Sequence, residues 1–163
     1  MRSASFALSK KRSVLFRLTW SERFALAEAT VWLALGRVAI VLVPFHALSR
    51  RLGTHMQESA AIVDPRHRAA LRRIAWAIGA VSRRAPWRCK CLEQAFAAKR
   101  MLRLRRIPNT LYLGVARGEA KIEAHAWVRS GDVYLTGGAE RGRYAVVSTF
   151  ADGAAAATDE AAR

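Results

Sequence analysis

The stretch CKCLEQAFAAKRMLRLR, residues 89–105, decides the fold prediction, because it joins a helical pattern to both cysteines of the chain. Its apolar residues recur at helical spacing, at Leu92, Ala95, Phe96 and Leu102. Its interior is rich in Ala, Lys, Arg, Met and Leu, which are strong helix formers. The pattern therefore predicts a helix from about Cys89 to Arg105, with the two thiols at its start.

After this helix the pattern changes from helical periodicity to the alternation that is typical of strands. The residues TLYLGVA (110–116) and IEAHAWVRS (122–130) are predicted as two strands that flank a hairpin turn. Shorter strands follow, from Val133 to Leu135 and from Tyr144 to Phe150. We expect the four strands to form an antiparallel meander.

Capping signals predict two further helices in front of this unit. Thr19 with Glu22 three residues later has the form of a capping box, and Pro44 cannot continue a helix, so a long helix should lie between them. Asp64-Pro65 is a good start for the next helix, which should end before Pro86. Helices followed by strands define an α+β fold, with N-terminal helices and a later helix packed on an antiparallel sheet.

The charge of the chain is strongly positive and unevenly distributed. The net charge is +16 over 163 residues; residues 1–106 carry 22 bases and 5 acids, whereas residues 107–163 carry 6 and 7. Such a surplus favours an anionic partner such as nucleic acid, anionic lipid or an acidic peptide, and a solvated arginine-rich surface is the alternative. No nucleic-acid-binding motif is recognised and no aromatic stripe runs through the basic residues, so nucleic acid is not expected.

The long N-terminal helix also raises the question of a membrane. Residues 24–45, FALAEATVWLALGRVAIVLVPF, have about membrane length, but Glu28 and Arg37 interrupt them. This favours a buried or partly membrane-facing helix over a transmembrane span. No secretory signal is recognised, and two cysteines are too few for a disulfide framework. The expected location is the cytoplasm, with peripheral membrane contact as an alternative.

The strand 122–130 carries a histidine on its polar face. Side chains alternate along a strand, so His125 and Trp127 share a face with Glu123 and Arg129, away from the apolar residues Ile122, Ala124, Ala126 and Val128. A histidine in a strand is most often structural. His125 nevertheless lies between two alanines, which leave room around its ring, so a catalytic role stays open.

The cysteines supply a possible reaction partner for that histidine. A thiol at a helix N-terminus meets unpaired backbone N–H groups, which favour the thiolate and could hold an oxyanion. Cys91 at a helix start facing His125 would pair a nucleophile with its general base. Cys89 precedes the helix and is expected to be a bystander. Cys-x-Cys is a poor metal clip and a poor redox motif, so no metal is expected.

The residues CLEQAFAAKRMLRLRRIPNTLYLGVARGEAKIEAHAWVRSGDVYLTGG (91–138) resemble the lasso-peptide B proteins, the leader peptidases of lasso-peptide biosynthesis, which belong to the transglutaminase-like cysteine protease superfamily. The matching features are Cys-Leu at a helix start, the Ile-Pro turn, LYLGVA and AHAWV. The likeness is strong over residues 87–150, and a softer one extends over residues 19–53. The resemblance implies a transglutaminase-like or papain-like core.

The resemblance also implies a mechanism. Cys91 would attack the peptide carbonyl at the leader–core junction, and His125 would take the thiol proton and pass it to the leaving amine. The family's third member is an Asp about a dozen residues after the His, where this chain has Thr136, Gly137 and Gly138. Either Asp132, the nearby acid, or a backbone carbonyl would orient His125, or the histidine would act without a strong orienting group. Trp127 would wall the substrate groove or roof the site.

The likeness is to the stand-alone protease type, without a fused leader-binding domain. Its implied partners are a lasso precursor peptide, a separate leader-recognition protein and an asparagine-synthetase-like cyclase that uses ATP; no cofactor would bind this chain directly. The expected parts are a flexible basic arm (1–18), a helical region (19–84), the protease core (85–151) and a flexible tail (152–163). An acyl transferase or amidase with the same Cys–His pair is the alternative enzyme, and a basic binding protein for nucleic acid or membrane is the non-enzymatic alternative.

Overall fold

The computed structural model describes residues 18–119 and 121–153, and its elements follow the predicted order of helices and then strands. The α-helices are α1 (Trp20–Leu42), α2 (Phe45–Ser49), α3 (Arg68–Ser82) and α4 (Cys91–Leu104). The strands are β1 (Thr54–His55), β2 (Asn109–Arg117), β3 (Ile122–Ser130), β4 (Val133–Thr136) and β5 (Ala145–Asp152). The α+β class is thereby confirmed. The predicted arm and tail lie largely outside the described residues.

The predicted helix starts rest on the capping contacts that the sequence indicated. Thr19 Oγ1 accepts a hydrogen bond from the backbone N–H of Glu22, and the Glu22 carboxylate accepts one from the backbone N–H of Thr19. These two bonds complete the capping box of α1, which ends at Leu42, before Pro44. Asp64 caps one 3₁₀ turn, Pro65–His67, which leads directly into α3.

The sheet is antiparallel, but it is not a simple meander. Its strand order is β1-β5-β2-β3-β4, so β5 pairs with β2 and does not pair with β4, the strand before it in the sequence. The prediction failed here because alternation identifies a strand and says nothing about its neighbour. The short edge strand β1 was missed for a related reason: it has two residues, and their pairing partner, β5, is about a hundred residues away in the sequence.

Helix α4 lies between the sheet and the other long helices. It packs against α1, α3, β2, β3 and β4, so it is buried on most of its circumference. Its buried residues include the small side chains Ala95, Ala97 and Ala98, which allow close approach of the neighbouring elements. They join residues from α1, α3 and the sheet in a single hydrophobic core. The helical region and the strands therefore stabilise each other.

A buried lysine joins α4 to the sheet. The Lys99 side chain is 2% exposed, and its Nζ donates hydrogen bonds to Asn109 Oδ1 (3.0 Å) and to the carbonyl of Phe150 (2.9 Å). Lys99 Nζ also lies 3.0 Å from Oδ2 of Asp152. Arg103, from the same helix, binds the other carboxylate oxygen of Asp152 at 2.6 Å. Burial lowers the pKa of Lys99 to about 8, although Asp152 opposes this effect. Burial acts to raise the pKa of Asp152, but Arg103 and Lys99 outweigh it, so that pKa is lowered.

The lowered pKa of Lys99 predicts that the stability of the fold depends on pH. Between about pH 8 and pH 10 the unfolded chain keeps the proton of Lys99 while the folded chain releases it, so the free energy of unfolding rises with pH. The wild type should gain stability relative to Lys99→Met across that window, by about 2–3 kcal/mol. Denaturant unfolding at several pH values measures this difference. Lys121→Met, which removes an exposed lysine, is the matched control and should track the wild type; identical pH dependence of the Lys99→Met variant and the wild type would contradict the prediction.

Candidate active site

Cys91 is the first residue of α4, as predicted. The N-cap residue is Lys90, whose side chain cannot accept a hydrogen bond, and no side chain caps the first turn. The backbone N–H groups of that turn are therefore left without a side-chain acceptor, and they present the positive end of the helix. Cys91 is half-buried and packs against the hydrophobic core. The start of α4 thus combines a thiol with backbone donors that could hold an oxyanion.

Cys89 lies in a different environment, two residues before the helix. Its carbonyl accepts a hydrogen bond from Gln94 Nε2 at 2.9 Å, which holds the chain against the first turn of α4. Burial raises the pKa of the Cys89 thiol, and the negative charge of Glu93 raises it further. A thiol with a raised pKa is mostly protonated near neutral pH and is a poor nucleophile. These properties agree with the expectation that Cys89 is a bystander.

The charge of Glu93 is held by an ion pair with the N-terminal helix. The Glu93 side chain is 5% exposed, and its carboxylate lies 3.2 Å from Arg37 Nη1 of α1. A buried carboxylate without a partner would be costly, so this pair ties the start of α4 to α1. The position of Cys91 consequently depends on the helical front as well as on the sheet.

His125 lies on β3 beside a backbone carbonyl. Its Nε2 is 2.9 Å from the carbonyl oxygen of Gly137, which follows β4, and its ring stacks on Tyr144 with 4.8 Å between the centroids. A carbonyl oxygen can only accept a hydrogen bond, so Nε2 carries the proton. In the neutral ring, Nδ1 is then the unprotonated nitrogen. Sequence reasoning had not assigned Tyr144 to the site; only its aromatic ring before a strand could have suggested it.

The position of Gly137 requires a residue without a side chain. Its φ of +66° is favourable for glycine, and a Cβ there would lie 2.5 Å from the carbonyl oxygen of Ala126 and 2.9 Å from Nε2 of His125. A side chain at this position would therefore displace the imidazole. The contact that Gly137 makes with the imidazole is through its backbone carbonyl. Of the groups considered for orienting His125, the structure brings the backbone carbonyl into contact.

The prediction that Asp132 orients His125 is corrected by the structure. The Asp132 carboxylate is exposed and binds Arg68 Nη2, at 3.2 and 3.3 Å. Asp132 lies in the turn after β3, seven residues beyond His125, and about five residues of extended strand already span some 17 Å. The turn therefore carries the carboxylate to the far end of the strand, where α3 begins.

The expectation that Trp127 walls a substrate groove is also corrected. The residue is 3% exposed, and its ring stacks on Tyr112 with an interplanar angle of 2° and a centroid distance of 5.5 Å. On its other side it lies 5.8 Å from the His125 ring. Trp127 therefore supports the imidazole from within the fold and does not line an open groove.

Polar contacts beneath Trp127 keep this support in place. Tyr112 donates a hydrogen bond to Glu58 at 2.7 Å and accepts one from Arg129 Nε at 2.9 Å. Burial and the bond to Glu58 raise the pKa of Tyr112 to about 12. Arg129 also binds Glu58 at 2.8 Å, so the connection between β1 and α3 is held against this face of the sheet.

The structure does not join Cys91 to His125. Both residues are described, and no hydrogen bond links them. Ala126 and Val128 belong to the core that contains α4, so alternation along β3 places His125 on the opposite face of the strand. The expectation that the start of α4 faces His125 is therefore not met in this conformation. Among the described residues, moreover, no group of three or more His, Cys, Asp and Glu side chains could hold a metal ion.

Comparison with known proteins gives the class of this fold. Residues 39–149, more than half of the chain, match the family described as the transglutaminase-like superfamily. The chain therefore belongs to the transglutaminase-like superfamily, whose members are generally cysteine peptidases and acyl transferases. No curated protein and no solved structure matches the chain.

The different settings of the two thiols predict different reactivity. With Cys91→Ala, the remaining thiol of Cys89 should react slowly with iodoacetamide near neutral pH, and its rate should still be rising above pH 9.0, because its pKa is raised. With Cys89→Ala, the thiol of Cys91 should react faster at neutral pH. Stopped alkylation followed by intact mass measurement gives both rates as a function of pH. Faster alkylation of Cys89 at neutral pH would contradict this assignment.

Proposed function

We propose that the chain is a cysteine protease that removes the leader peptide from a ribosomally made lasso-peptide precursor. The observation that carries the proposal is the presence, within one transglutaminase-like domain, of an uncapped helix start at Cys91 and a strand histidine whose Nε2 is held by a carbonyl. The sequence likeness over residues 91–138 supports the leader-peptidase role in particular.

In the proposed reaction, Nδ1 of His125 accepts the thiol proton of Cys91, because Nε2 is occupied by the Gly137 carbonyl. The thiolate attacks the scissile carbonyl carbon at the leader–core junction, and the uncapped N–H groups of α4 stabilise the oxyanion. His125 then protonates the leaving amine and a thioester remains. Water, deprotonated by the same nitrogen, hydrolyses the thioester and regenerates the thiol.

This reaction requires Cys91 and His125 to approach each other when substrate binds. Catalytic hydrogen bonds are often long or poorly aligned before substrate binding and tighten in the Michaelis complex. His125 is half-buried, not locked in the core, and its support comes from the stacked rings of Tyr144 and Trp127. Because His125 lies on the face of β3 opposite to α4, the proposed reaction requires both the His125 side chain and the start of α4 to move before Nδ1 reaches the thiol.

The proposed partners follow from the same likeness. A separate leader-recognition protein would deliver the precursor, and an asparagine-synthetase-like cyclase would use ATP to close the released core peptide. The basic residues of the helical front would bind acidic segments of these partners.

The nucleophile and base are tested directly by substitution. Cys91→Ala and His125→Ala should each lower cleavage of a precursor, in the presence of the leader-recognition protein, by about 10³-fold or more, because each removes a group that acts in the transition state. Cys89→Ala, the matched control, should retain most of the activity. Mass spectrometry of the cleavage products measures the loss and locates the cut. Full cleavage by the Cys91→Ala variant would refute the mechanism.

The same assay separates hydrolysis from acyl transfer, which the superfamily assignment also allows. A protease releases the free leader acid and the free core amine. An acyl transferase supplied with a primary amine gives an adduct in which that amine replaces water, and an amidase releases ammonia from a side-chain or terminal amide. Adducts formed from the added amine by the wild type, and absent with Cys91→Ala, would favour the transferase.

The role of the Gly137 carbonyl is tested by Gly137→Ala. The added Cβ would lie 2.9 Å from His125 Nε2, so the ring must move and the hydrogen bond is lost. We expect kcat to fall by about 10²-fold with little change in KM, since misplacement of a catalytic group affects the chemical step. The ¹⁵N signal of the protonated Nε2 should also shift.

Gly142→Ala is the matched control for this substitution, because nothing lies within 4 Å of a Cβ at that position. It should leave both kcat and the imidazole signal unchanged. If Gly137→Ala behaves like Gly142→Ala, the carbonyl does not position His125.

A further inference from the structure

Helix α1 exposes an apolar stripe along its whole length. The large apolar residues on this side are spaced by three, four or seven positions, so they share one face of the helix: Trp20, Phe24, Val31, Leu35, Val38 and Leu42. Trp20 is 83% exposed and Leu42 is 73% exposed, although such side chains are usually buried. We call these six residues the α1 outer face.

The two charged residues in the middle of α1 are paired with residues outside this helix. Glu28 binds Arg105 through two bonds of 2.8 and 2.6 Å, and Arg37 binds Glu93. Thr30, the exposed polar residue on this side, donates its hydroxyl proton to the carbonyl of Leu26 at 2.8 Å. Glu28 and Arg37, the two residues that interrupt the apolar sequence, are therefore both paired; the Glu28 side chain is 9% exposed and the Arg37 side chain is 39% exposed.

A cavity of about 220 Å³ opens beside the α1 outer face and shares Leu35 with it. Apolar residues of three helices and the following turn line it, among them Trp32, Leu48, Leu52 and Phe96. Two exposed cations also line the cavity, Arg51 and Arg100, and the Arg100 guanidinium lies 4.6 Å from the centroid of the Trp32 ring. An apolar cavity bordered by arginines suits a molecule with an alkyl chain and an anionic head.

Basic sequence flanks the apolar stripe at both ends. Residues 1–17 carry five bases and no acid, and Arg50 and Arg51 follow the stripe. A second copy of the chain would bring the same positive charge to such an interface and would be repelled. An anionic bilayer offers both an apolar interior and negative head groups, and an amphipathic helix binds it through the sum of these two attractions.

We propose that the α1 outer face, with Arg51 and Arg100 beside it, is a docking surface for an anionic phospholipid bilayer. By length and composition α1 is a candidate membrane span, with a mean hydropathy of 1.7 over its best 18-residue window and 22% of that window buried. Its inner face, however, packs on α3 and α4 through Ala25, Ala29 and Leu33. Lipid can therefore reach one side of the helix, which lies in the plane of the bilayer surface. This proposal does not depend on the proposed protease activity.

The experiment is flotation of the full chain with vesicles of phosphatidylcholine alone and with vesicles in which phosphatidylglycerol is added. The wild type should float with the anionic vesicles and weakly with the neutral ones, and added salt should reduce binding. Leu42→Glu should lower the partition coefficient by about tenfold or more, because a charge is costly on a helix face that enters the bilayer. Arg51→Gln should lower it by about fivefold on anionic vesicles.

Ile62→Glu is the matched control, since Ile62 is 83% exposed and lies in the connection before α3, away from α1. It should bind vesicles within about twofold of the wild type, and circular dichroism should show that all variants are folded. Equal vesicle binding by the Leu42→Glu and Ile62→Glu variants, or no flotation of the wild type, would overturn the proposal. A dimer in solution that Leu42→Glu converts to a monomer, without vesicle binding, would assign the face to a second copy and would also overturn it.

Discussion

The fold depends on the burial of α4, a helix that carries charges which must find partners inside the molecule. A buried charge without a partner would cost several kcal/mol, so each charge is paired with a residue of opposite charge. The pairs are Glu93–Arg37, Lys99–Asp152 and, just after the helix, Arg105–Glu28. Two of the partners come from α1 and one from the last strand. The same contacts that satisfy α4 therefore hold α1 and β5 against it.

This arrangement also determines what the surface of α1 can be. Glu28 and Arg37 are paired with Arg105 and Glu93, and the α1 outer face consists of apolar residues. In the sequence these two charges argue against a membrane helix. In the structure they stabilise the domain, and neither belongs to the α1 outer face. Glu28 and Arg37 therefore count against membrane contact in the sequence, but they do not count against it once their partners are known.

The site shows a comparable dependence on neighbours. His125 is held by a carbonyl and by stacked rings, and the connection before α3 is bonded to the same face of the sheet through Glu58. Gly137, with φ of +66°, brings its backbone carbonyl against the ring. A neutral acceptor can orient an imidazole but does not supply a negative charge to the imidazolium. The imidazole of this chain is therefore oriented by a neutral group.

The sequence by itself determined the elements. Helical periodicity, the Thr19–Glu22 capping box and the alternation in IEAHAWVRS are local features, because backbone geometry and capping bonds involve residues a few positions apart. They were sufficient for the α+β class, for a helix start predicted at about Cys89 and found at Cys91, and for the polar face of His125. Only the tertiary structure decided that β5 lies beside β2, that Asp132 binds Arg68 and that Lys99 reaches Asp152. These contacts join residues far apart in the chain. The local spacing of residue types does not indicate which distant residues will pack together or form an ion pair.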